Sequence, residues 1–113
     1  MDLNYSNANE RDYSGYTLLM LTACYGDAIT VAKLLNDGAH VNLQDVGGKT
    51  ALFHAVANGH TAIVELLLNK NANAYLEDND GNTVLDVAEE RGYDIIAALI
   101  ITNNMPINSN NQT

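Results

Sequence analysis

Cys24, His40, His54 and His60 are the residues whose types could carry nucleophilic or metal chemistry. A catalytic thiolate needs an adjacent base and donors for the developing oxyanion. Cys24 is the only cysteine and lies inside the apolar stretch TLLMLTACY, with no nucleophile elbow and no flanking oxyanion glycines. A zinc site needs histidines four apart on a helix face, or cysteine pairs. The three histidines are nowhere four apart. The segment DNDGN at 78–82 resembles part of a calcium loop. Placing Gly81 at the sixth position of such a loop puts Leu76 first and Val87 twelfth, and neither is a ligand. No phosphate-cradling Gly-x-x-x-x-Gly-Lys and no dinucleotide fingerprint occurs. Asp86, Glu89 and Glu90 read as a solvated acidic face. The expectation is no catalytic residue, no cofactor and no metal ion.

The elements that would position any site follow a repeat. Asp12, Asp45 and Asp78 stand 33 residues apart, as do Gly15, Gly48 and Gly81. Thr17, Thr50 and Thr83, then Leu19, Leu52 and Leu85, then Gly26, Gly59 and Gly92 keep the same interval. Each Asp-x-x-Gly predicts a turn, because the carboxylate can accept from amides ahead of it and glycine tolerates positive φ. Each Thr stands where a helix N-cap belongs. First helices are predicted at 18–25, 51–58 and 84–91, each ended by its glycine in a left-handed conformation. Second helices are predicted at 28–36, 61–69 and 94–102, with apolar residues such as Ile63, Val64, Leu67 and Leu68 at helical spacing. Gly38 closes one of them, and its counterpart Asn71 is the other residue type that accepts the left-handed cap. Helices this short are marginal alone, and no copy buries its own apolar face, so the copies must stack. The repeats divide the chain into 12–44, 45–77 and 78–102. Residues 1–11 carry no period in this reading, and the Asn-rich 103–113 reads as a disordered tail.

Thr-Ala-Leu-Phe-His-Ala-Val-Ala-Asn-Gly-His at 50–60, followed by Ile63-Val64-Glu65-Leu66-Leu67-Leu68, resembles the ankyrin repeat. So do Gly38-Ala39-His40-Val41-Asn42 and Thr83-Val84-Leu85-Asp86-Val87-Ala88. The usual Pro after Thr is replaced by Leu18, Ala51 and Val84, and the usual His by Met20, Phe53 and Asp86. The resemblance implies an all-α solenoid of three helix pairs with short hairpin tips, and a non-enzymatic protein-binding module. Such stacks hold partners on the tips and the inner side of the first helices. Carried over by position, that surface is Tyr13, Ser14, Tyr16, Cys24 and Tyr25 in the first repeat. It continues through Val46, Gly47, Lys49, Ala57 and Asn58, and ends with Asn79, Asp80, Asn82, Glu90 and Arg91. Tyr13, Tyr16 and Tyr25 are half of the six tyrosines and are the expected anchors, since tyrosine buries much area at little entropic cost.

Composition limits the partner. Fourteen acids against five bases give a net charge of −9. That disfavours nucleic acid and anionic membranes and favours a protein with a basic patch. The expected roles include inhibitor, immunity factor or effector. One cysteine and no secretion-type N-terminal pattern suggest a cytoplasmic setting, or a host cytosol for an effector. Glycosylation-like triplets at 4–6 and 111–113 are expected to be fortuitous. The first helix, with Leu18, Leu19, Met20 and Leu21, is apolar nearly all round. Either residues 1–11 fold over it, or a second copy covers it in a weak homodimer. Glu89, Glu90, Arg91 and Asp94 read as a polar C-terminal cap.

Overall fold

A computed structural model describes residues 7–104. Within them lie six helices: α1 (Leu18–Tyr25), α2 (Ala28–Asn36), α3 (Ala51–Ala57), α4 (Thr61–Asn69), α5 (Val84–Glu90) and α6 (Asp94–Asn104). No strand occurs among the described residues, so the fold is all-α. The helices form two layers. α1 packs on α3 and α3 on α5, while α2 packs on α4 and α4 on α6. Within each repeat the pair is closed by the glycine turn. α3 and α5 end one residue earlier than the spacing predicts, and α6 runs two residues further. Tyr5 and residues 105–113 lie outside the described residues.

Local chemistry starts each helix. The hydroxyls of Thr17, Thr50 and Thr83 accept from the amides of Met20, Phe53 and Asp86. The three residues at that third position then solve one problem differently. Asp86 Oδ2 accepts from the Thr83 amide at 2.9 Å, completing a capping box. Met20 Sδ accepts weakly from the Thr17 amide at 3.4 Å. Phe53 makes no such bond and is buried in the core instead. Asn71, at φ 67°, is the only non-glycine residue with positive φ among the described residues, as its alignment with Gly38 predicts.

The core runs unbroken through all three repeats, from Leu19 and Met20 through Leu52, Phe53, Ile63 and Leu67 to Ile96 and Ile100. Met20 is buried, so the first helix is less apolar outside than its sequence suggests. Leu18 is only partly buried.

The reading of residues 1–11 as outside the period needs correction. The Asn9 side-chain oxygen accepts from the His40 amide at 2.7 Å. The Asn42 oxygen accepts from the Asn73 amide at 2.7 Å. Donors and acceptors are each 33 apart, so residues 7–11 take the place of 40–44 in a preceding repeat. Ala8, the counterpart of Val41, packs against the core. Only one acceptor residue and one small apolar residue carry this register, too little to stand out by eye.

The glycine turns do more than reverse the chain. A Cβ on Gly26 would lie 2.9 Å from the His60 ring, and φ there is 86°. Gly26→Ala should therefore combine left-handed strain with a clash, costing roughly 2–3 kcal/mol. Gly92→Ala meets nothing within 4 Å among the described residues, at φ 72°, and should cost only about 1 kcal/mol from strain. Urea melts of the two variants check the difference.

At the head of α2, Asp27 accepts from the Thr30 amide at 3.1 Å and from its hydroxyl at 2.6 Å. The hydroxyl bond first, then the amide bond, hold the Asp27 carboxyl below its ordinary value. A carboxyl lowered by folding stabilises above its unfolded pKa, and that contribution disappears as pH falls through the folded value. NMR titration should find Asp27 protonating at lower pH than a free aspartate, with the Thr30 amide shifting in the same step. A midpoint at the unfolded value would show that the cap does not form.

Candidate functional site

The tips are built by aspartate. Oδ1 of Asp12 accepts from the amides of Ser14 and Tyr16 at 2.9 Å. Asp45 does the same with Gly47 and Lys49, and Asp78 with Asp80 and Asn82. Each tip is then tied to the next. The Val46 amide donates to the Ser14 carbonyl at 3.0 Å, and the Asn79 amide to the Gly47 carbonyl at 2.9 Å. Gln44 braces the array by donating to the Gly48 and Glu77 carbonyls. The tips are thus a hydrogen-bonded ladder, which fixes the side chains it carries.

The residues of the inferred surface, the three tyrosine anchors among them, fall into two kinds. Tyr13 is fully exposed, and Tyr25 and Val46 keep 66% and 70% of their surface. Tyr16 is half-buried, its ring meeting His54 edge-on at 5.4 Å between centroids. Two other residues of the inferred surface have internal tasks. The Asn58 amide group donates to the His54 carbonyl at 2.8 Å and approaches Cys24 Sγ at 3.5 Å. The Asn79 amide group donates to the Val46 carbonyl at 2.8 Å. Lys49, Asp80, Asn82 and Arg91 are exposed. Ser14 is also exposed, and its carbonyl serves the ladder.

The three histidines are placed by structure-forming contacts. His54 donates Nε2–H to buried Asp45 Oδ2 at 2.9 Å, since an ionised carboxylate can only accept. His60 donates Nε2–H to the Cys24 carbonyl at 2.9 Å, joining repeat two to repeat one. His40 uses its backbone amide on Asn9. Cys24 shares a hollow of about 40 Å³ with Tyr16, Met20, Leu21 and His54. That space is close to one water molecule's share of liquid volume, and His54 Nε2 is already committed to Asp45. Among the described residues no group of three or more His, Cys, Asp or Glu is arranged to hold a metal ion. The sequence did not foretell the His54–Asp45 pair. Nine residues separate its members, and neither of the other repeats carries a histidine at the position of His54.

Charge is unevenly spread. Lys49 and Arg91 balance Asp80 and Glu90 on the inferred binding face. The 78–102 segment holds six carboxylates against Arg91 alone. Asp86 and Glu89 occupy positions that Phe53 and Val56 fill in repeat two, and both are exposed.

The family description "Ankyrin repeats (3 copies)" matches residues 19–111, and the chain belongs to the ankyrin-repeat family. Ankyrin repeats are generally protein–protein interaction modules, and the family is typically non-enzymatic. No match to a curated protein was found. No helix among the described residues is long and apolar enough to cross a membrane.

Proposed function

We propose that this protein is a non-enzymatic binding module that holds a partner protein on its tips and the inner side of its first helices. Tyr13, Tyr25 and Val46 are the anchors, with Ser14, Lys49, Asp80, Asn82 and Arg91 around them. Tyr16, Asn58 and Asn79 support the surface from within. The observation that carries this reading is that large apolar side chains stand exposed on a ladder whose backbone is already hydrogen-bonded. A rigid platform loses little entropy on binding, and exposed tyrosines are typical hot-spot residues. An inhibitor, immunity factor or effector would use such a surface to block its target. The free, half-exposed Cys24 suits a reducing cytoplasm or host cytosol.

The test compares the intact chain with a Tyr13→Ala/Tyr25→Ala variant in a pull-down from source-cell lysate, followed by titration with the captured protein. The expected loss is roughly ten-fold or more in affinity with unchanged thermal stability. Tyr16→Ala should instead lower stability through its contact with His54. Capture unchanged by the double variant would remove the anchors from the surface. Sedimentation velocity should find a monomer at high concentration, because Met20 is buried and residues 7–10 lie against repeat one. A concentration-dependent dimer would favour self-association through the outside of that repeat.

A further inference from the structure

The aspartates that build the tips differ in what reaches their second oxygen. The tips of repeats two and three match bond for bond. Asp45 and Asp78 each accept two amides on Oδ1 at 2.9 Å, from Gly47 and Lys49 in one case and from Asp80 and Asn82 in the other. Their own amides donate to the Lys49 and Asn82 carbonyls, and their carbonyls accept from Gly48 and Gly81. Both residues are 8% exposed. Oδ2 therefore points the same way in both. In Asp45 it meets His54 Nε2 at 2.9 Å. In repeat three the position of His54 is Val87, which is shorter than an imidazole and carries no donor. Among the described residues nothing donates to Asp78 Oδ2. His54 serves the tip of its own repeat, so the vacancy comes from Val87 and not from a missing neighbour. Asp12 differs, because it is exposed and water reaches it. A buried carboxylate oxygen without a donor costs free energy, and such groups are rare in folded proteins. Lys49 and Arg91 do not supply the donor: the ion pairs among the described residues are Lys33–Asp37 and His54–Asp45. Those two cations offset Asp80 and Glu90, which leaves Asp78 as the uncompensated charge of the surface.

We infer that Asp78 Oδ2, beside Val87, is the receptor for a cationic side chain, lysine or arginine, of the bound partner. The inference rests on the tips and first helices being the binding surface, and it names the partner's chemistry there. The ammonium or guanidinium takes the place that the His54 ring holds in repeat two and donates to Asp78 Oδ2. Its apolar stem lies over Val87, which is half-buried and gives it an apolar floor. Exposed Asp80 on the tip and exposed Glu90, one turn on from Val87 in α5, favour a cation at this point. Lys49 and Val87 hold the positions of Tyr16 and His54, whose rings meet edge-on in the filled site. Lys49 is exposed, and its charge is the one that competes with the partner's.

The test is an NMR titration of the intact chain with N-acetyl-arginine amide and N-acetyl-lysine amide, against N-acetyl-norleucine amide as the uncharged probe. The cationic probes should shift the Asp78 carboxyl, the Asp80 and Asn82 amides and the Val87 methyls along one saturable curve. Val87→His builds the repeat-two donor into repeat three and should abolish those shifts. Asp78→Asn keeps an oxygen for both amides, presents an NH2 group in place of Oδ2, and should abolish them too. Circular dichroism confirms that each variant folds, and Asp78→Asn carries the test if Val87→His does not. Lys49→Met should bind the cationic probes more tightly, and Tyr13→Ala/Tyr25→Ala should bind them unchanged. The protein captured by the intact chain should bind Asp78→Asn roughly ten-fold or more weakly. Shifts spread alike over the exposed carboxylates, equal shifts with the norleucine probe, shifts that survive Val87→His, or weaker binding by Lys49→Met would overturn the inference. A captured protein weakened by the tyrosine variant and not by Asp78→Asn would overturn it while leaving the tip surface as the binding site. One weakened by Asp78→Asn and not by the tyrosine variant would support the cation site and remove the tyrosine anchors.

Discussion

Phe53→Ala should cost about 3–5 kcal/mol, the usual range for deleting a buried phenylalanine. Phe53 is 1% exposed, the largest of the fully buried side chains, and sits in the middle repeat. A small domain has roughly 5–15 kcal/mol of stability in all, so this variant should melt near room temperature or be unfolded when isolated. The loss should also be shared by all three repeats. α3 packs on α1 and on α5, and a stack depends on nearest-neighbour interfaces. Urea denaturation followed by circular dichroism measures it. Asp86→Ala, at the equivalent position of repeat three, should lose only about 1 kcal/mol, because Asp86 is exposed and contributes a cap rather than core. Equal losses at the two positions would mean that position 53 is not the centre of the core.

Asp45→Ala should cost about 3 kcal/mol. Its side chain is 3% exposed and its carboxylate serves three donors: the amides of Gly47 and Lys49 and the ring of His54. Removing it strands all three, and unmet donors in a part-buried site are expensive. Two comparisons separate the contributions. Asp12→Ala removes the same pair of amide bonds from an exposed tip and should cost about 1 kcal/mol. Asp78→Ala removes them from a buried tip with Val87 in place of the histidine, and should fall between the two. Thermal melts of the three variants rank them. Asp45 and Asp78 at the same loss would remove the His54 bond from the account. Because Asp45 also positions Lys49 and the Val46 tip, its variant should weaken partner binding beyond the loss of folded protein.

The helix pairs were legible because their signals are local. Thr17, Thr50 and Thr83 satisfy amides three residues away, and Gly26, Gly59, Gly92 and Asn71 need positive φ whatever surrounds them. A 33-residue interval makes such signals recur, and recurrence identifies the stack. The exposure of Tyr13, Tyr25 and Val46 was also foreseeable, since tip and helix-end positions face outward in every copy. The inner bonds of Tyr16, Asn58 and Asn79 were not. An amide group at such a position is equally suited to a partner or to a neighbouring carbonyl, and only the distance to that carbonyl decides.

By itself, then, the sequence determined the all-α stack, its period, its caps and the positions that point outward, because these depend on backbone preferences within a few residues. The tertiary structure decided which outward residues are already engaged. It joined residues 7–11 to the period through Asn9, and it committed the His54 ring to the Asp45 carboxylate. Those outcomes depend on residues brought together within or across repeats, such as His60 with Cys24 or Asn9 with His40. Contacts of that kind are set by how one repeat lies on the next.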